Sequence, residues 1–64
     1  MCEIKVVMDK DGIEEPVMEN VTKLDILDNA VAITSLFEGV KEIPGVTVRN
    51  IDFLAGTVFL QPQQ

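Results

Sequence analysis

The stretch "VTVRNIDFLAGTVFLQ", Val46 to Gln61, decides how the chain is read. It is rich in β-branched and aromatic residues, which suit a pleated, half-buried surface. Val46 and Val48 occupy even positions, whereas Ile51 and Phe53 occupy odd ones. Successive side chains of a strand point to opposite faces, so one apolar face keeps one parity. The parity here slips by one near Arg49–Asn50. Such a slip inside an alternating run is what a β-bulge or strand bend produces. Ala55–Gly56 then reads as a tight turn, and Thr57 to Gln61 as the returning strand. The stretch reads as a hairpin with a bulge or a bend in its first arm.

Working outward, the same grammar repeats. Cys2 to Met8 alternates, with Ile4, Val6 and Met8 on one face and Glu3 and Lys5 on the other; Cys2 has the parity of the apolar face. Asp9 to Gly12 is a turn in which Gly12 is free to take positive φ. Ile13 to Met18 is a second strand, and Pro16, which has no N–H to give, makes it an edge strand or an interrupted one. Val21 to Leu27 follows, with Leu24 and Ile26 in phase. Asp28–Asn29 is the next turn, and both residues tolerate the left-handed region. Asn29 to Phe37 carries Val31 and Ile33 in phase. Leu36 and Phe37 are adjacent apolar residues, one of which is expected to plug a barrel end. Gly39, Pro44 and Gly45 break the chain. A helical turn or two within Val31 to Val40 is the competing reading, but no 3.6-residue apolar stripe supports it. Six or seven short, mostly antiparallel strands predict an all-β fold: one small β-barrel domain spanning residues 1–64, since closure removes exposed strand edges.

Size and composition sharpen this. A 64-residue chain buries only about 60% of its unfolded surface, so its core is marginal. Small domains compensate with disulfides, a metal or a partner subunit. One cysteine cannot form an internal disulfide, which leaves extra packing, oligomerisation or metal; a homodimer is the economical expectation. Eleven acidic residues against five basic ones give a net charge of −6. Binding to nucleic-acid phosphates needs a basic footprint, and none is present, so nucleic acid is disfavoured as a partner. No apolar run approaches the roughly 20 residues of a membrane helix, and no signal peptide is visible. A lone free thiol fits a reducing compartment, so a cytoplasmic protein is expected.

Catalytic chemistry finds little support. Without histidine or tyrosine, acid–base work would rest on carboxylates alone. Glu14 and Glu15 are adjacent in a strand and point apart. Asp25 and Asp28 form another close pair, but carboxylates like these read as solvated charges. Asp9 and Asp11 faintly resemble the start of a calcium loop whose later ligands are missing. Thr34 and Ser35 have no base partner, and the glycines form no phosphate-binding loop. The chain is not expected to be an enzyme.

Cys2 remains, and two readings stand. It is a small apolar strand residue, because free cysteine is commonly buried and inert. Alternatively it is a metal ligand: a soft thiolate at a chain end, beside the backbone amide and the terminal amine. One subunit offers one sulfur and one nitrogen. A two-fold dimer with its chain starts at the axis offers two of each. Four such donors in a plane suit nickel(II) or copper(II); in a tetrahedron they suit zinc.

The order of segments also resembles a known family. "MCEIKV" at residues 1–6, "ENVTKLDI" at 19–26, "ITSLFEGVKEIPG" at 33–45 and "VRNIDFLAGTVFL" at 48–60 are similar to the corresponding stretches of the CooT-type nickel-binding proteins. These are small accessory proteins associated with carbon monoxide dehydrogenase maturation. The resemblance covers essentially the whole chain. It implies a homodimeric β-barrel that binds one nickel(II) near the dimer interface through Cys2 of each chain. It further implies a nickel enzyme, or its maturation proteins, as the partner. The tail "QPQQ" has none of the histidines that some relatives carry, so bulk nickel storage is not expected. The alternative is a protein-interaction or RNA-binding module in which Cys2 is only structural.

Overall fold

The structure, a computed structural model, describes residues 3–63. Seven strands follow in chain order: β1 (Lys5–Lys10), β2 (Ile13–Met18), β3 (Val21–Ile26), β4 (Ala30–Ser35), β5 (Gly39–Pro44), β6 (Val46–Asp52) and β7 (Thr57–Pro62). No helix occurs among the described residues. The strands form two sheets, a four-stranded one ordered β2-β1-β7-β6 and a three-stranded one ordered β3-β4-β5. Neighbours are antiparallel except β1 and β7, which run parallel with Lys5 opposite Thr57 and Met8 opposite Leu60.

The all-β reading with seven strands holds, but the sheets do not close into a barrel. The chain passes between them at two corners, bonded there by isolated backbone contacts in place of a ladder. At one corner Asn20 takes a left-handed conformation (φ 57°), and the Val21 N–H donates to the Ile4 carbonyl at 2.9 Å. Gly45 makes the other, at φ 74°. Its N–H donates to Asn29, and its carbonyl accepts from Gln63.

The core lies where the two sheets face. Val6, Val58, Leu60 and Val46 come from the larger sheet, Val21, Val31 and Ile33 from the smaller, and Met18 from the end of β2. Val6, Val31, Ile33 and Leu60 are fully buried. Each such side chain stabilises the fold by about 1.5–3 kcal/mol relative to exposure, which explains why the alternating positions of β1, β4 and β7 dominate the pattern.

Local expectations fare unevenly. β2, with Pro16, is an edge strand, and Gly12 takes φ 79°. The parity slip is a bulge: Val48 pairs with Leu60 and Asn50 with Phe59, leaving Arg49 unmatched. That extra residue aims its guanidinium over the Phe59 ring, 5.1 Å from the centroid, and onto the Asp9 carboxylate. Three expectations fail. Gly39 and Pro44 do not break the chain; they bound strand β5, whose interior pairs fully with β4. Asp28–Asn29 is a turn, but neither residue has positive φ; Asp11 and Asn20 do. Leu36 and Phe37 plug nothing and are 67% and 77% exposed. With no closed lumen there is no barrel end to fill, and Val21, Met18 and Ile33 already occupy the space between the sheets.

Candidate functional site

Strand registers gather particular segments at one end of the molecule, the entry pole. Lys5 lies opposite Thr57, and Thr57 opposite Asp52. Val6 faces Met18, Val21 faces Ser35, and Ser35 faces Gly39. The chain start at Glu3–Ile4 therefore meets the turns at Glu19–Asn20, Leu36–Glu38 and Phe53–Gly56. Three backbone bonds tie them: Lys5 N–H to the Gly56 carbonyl (3.0 Å), Val21 N–H to Ile4 (2.9 Å) and Leu36 N–H to Asn20 (2.9 Å).

Gly56 is required there. It adopts φ 69°, and a Cβ on it would lie 2.9 Å from the Glu3 carbonyl oxygen. Only glycine lets the chain start pass this close to the last hairpin. The hairpin tip is also held by an Asx turn, in which the Ala55 N–H donates to Asp52 Oδ1 at 3.0 Å.

Between these segments runs a groove of about 450 Å³ lined by Ile4, Leu24, Ile51, Phe53 and Leu54, with Glu3, Lys23 and Asp52 as its charged residues. Leu54 is wholly exposed and Phe53 is 87% exposed. Large apolar side chains contiguous around a groove mark an interaction surface; isolated ones do not.

Cys2, the one metal ligand expected from sequence, lies outside the described residues; it is the covalent neighbour of Glu3. Among the described residues no three His, Cys, Asp or Glu side chains converge in a way that could hold a metal ion. The carboxylates weighed from sequence stay apart. Glu14 and Glu15 sit at successive positions of β2 opposite Asp9 and Met8, Asp25 lies 3.6 Å from Lys23 Nζ, and Asp9 is held by Arg49. Sequence reasoning missed Phe53 and Leu54 as surface residues. The turn is wider than the tight Ala55–Gly56 turn expected: it spans Phe53–Gly56, and the signal was two large apolar residues beside a turn glycine, where polar residues are the rule.

Comparisons with known proteins agree with this architecture. A family model described as CO dehydrogenase accessory protein CooT matches residues 1–61. Among solved structures, the chain is similar to a crystal structure assigned to CooT from Carboxydothermus hydrogenoformans. The TM-score is 0.83 at 17% identity, over 98% of this chain and all of that one. At that identity the likeness concerns the fold. No curated protein matches the chain in sequence.

Proposed function

The chain belongs to the CooT family of CO dehydrogenase accessory proteins, and from that premise we propose that it handles nickel(II) during maturation of that enzyme. An accessory role is non-catalytic, in keeping with a sequence that assembles no acid, base or nucleophile constellation. Two copies meet through the apolar groove at the entry pole, and one nickel(II) is shared between their Cys2 thiolates and adjacent backbone nitrogens. The ion is cargo: an exposed site at a chain end releases it by ligand exchange to the client, in the cytoplasm.

The observation that carries this reading is where the chain enters the fold. Glu3 borders the groove of Ile4, Phe53 and Leu54, and Cys2 is tethered to Glu3 by one Cα step of about 3.8 Å. A second copy covering the groove would bring a second chain start to the same place by symmetry. The donor chemistry fits, since soft thiolate with deprotonated nitrogen suits a planar nickel(II) ion. Binding displaces the thiol proton. An ordinary thiol has a pKa of about 8.5, so affinity falls as pH falls.

A nickel titration followed by thiolate-to-metal absorption tests the reading. The expected break lies at half an equivalent per chain, and Cys2→Ser removes it. Tight binding retained by Cys2→Ser ends the proposal.

A further inference from the structure

We propose that the Leu36–Phe37 tip is a docking knob for the enzyme being matured, inserting into an apolar cleft rimmed by lysine or arginine on that protein. This rests on the accessory role above but uses a different surface. Phe37 borders a cleft of about 280 Å³ with Met18, Glu19, Asn20, Ser35 and Glu38; it shares no residue with the groove of Phe53 and Leu54.

Two properties of the tip point to recognition. The first is preorganisation. Ser35 is buried; its hydroxyl donates to the Glu19 carbonyl at 3.2 Å and accepts from the Phe37 N–H at 3.3 Å. The Leu36 N–H is bonded to Asn20. The backbone beneath two exposed apolar side chains is thus pinned from three directions, so binding orders little that is not already ordered. Aromatic residues, phenylalanine among them, are enriched at protein interfaces.

The second property is charge. Glu19 and Glu38 flank Phe37 in the same cleft, on a chain of net charge −6. A two-fold contact through this patch would set one acidic surface against another, since such an interface pairs a surface with itself. A basic rim on a different protein is complementary instead. Size agrees with a transient contact. An aromatic buries about 150–250 Å², so two side chains fall well short of the roughly 800 Å² per partner of a stable interface.

The test measures binding of the intact protein to nickel-free carbon monoxide dehydrogenase of the same organism, immobilised, at low and high salt. Phe37→Ala should weaken binding at least tenfold. Glu19→Gln with Glu38→Gln should weaken it severalfold and flatten its salt dependence. Both variants should keep wild-type sedimentation and the half-equivalent nickel break. Unchanged binding by Phe37→Ala, or no binding by the wild type at low salt, overturns the proposal. So does a changed oligomeric state in Phe37→Ala, which would assign the tip to a second copy. Cys2→Ser separates the two readings: it should dock like wild type. If it also keeps nickel while Phe37→Ala loses docking, the nickel site falls and the knob stands.

Discussion

The two poles of this molecule obey different rules. At the far pole the turns are built from Asp11–Gly12, Asp28–Asn29 and Gly45, residues chosen for their backbone and local hydrogen bonding. Ile13, Ile26 and Leu27 are exposed nearby, but at strand ends, where an uncovered apolar residue is ordinary. At the entry pole the Glu19–Asn20 turn is polar, but the other two tips carry Leu36–Phe37 and Phe53–Leu54. A turn gains nothing from a fully exposed leucine. The same fold builds every turn of one end from polar or small residues and sets adjacent apolar pairs in two turns of the other. The difference therefore reports on what each end touches, not on how the chain folds.

This contrast can be broken or sharpened in order of effect. The largest change is expected from Phe53→Ser combined with Leu54→Ser. Sedimentation should shift from dimer to monomer and the shared nickel break should vanish. Stability to denaturant should move by only about 0.5 kcal/mol, as for exposed sites generally. Unfolding instead of dissociation would erase the distinction between the poles. Next comes Ile33→Ala, in the core between them, which should cost about 2–5 kcal/mol in urea unfolding. Gly56→Ala should follow, at about 2 kcal/mol, from positive φ and the approach to Glu3. It should also weaken nickel binding, because the chain start must move; an equivalent Gly12→Ala, with open space around its Cβ position, should leave nickel unaffected. The smallest effect belongs to Arg49→Ala, which removes an exposed ion pair and a cation–π contact with Phe59. About 1 kcal/mol is expected, with nickel stoichiometry unaltered.

Much of the fold was legible because alternation has a direct physical cause. Burial of Val31 and Ile33, the edge position of Pro16 and the bulge at Arg49 all follow from which residues can face a core or spare an N–H. Strand β5 escaped because Gly39 and Pro44 stand at its ends, where they read as interruptions of a strand when they are its boundaries. Sheet closure was not legible either, since the corner at Asn20 depends on a left-handed residue among several polar ones that could adopt it. The expectation that one of Leu36 and Phe37 plugs a barrel end fails because apolar residues usually seek an interior and this interior is already full. Cys2 stands out by its donor chemistry and by the family resemblance, and it lies outside the described residues.

The final strand, β7, lies between β1 and β6, and this has a consequence for biosynthesis. On the ribosome, β1 can pair with β2 early, but its other neighbour is not made until Thr57–Pro62 has been translated. The seam that anchors Lys5 to Gly56, and with it the surroundings of the chain start, cannot exist in a nascent fragment. A chain truncated before Thr57–Pro62 would leave Lys5 without its bond to Gly56, so the entry pole takes its form only once β7 has been made.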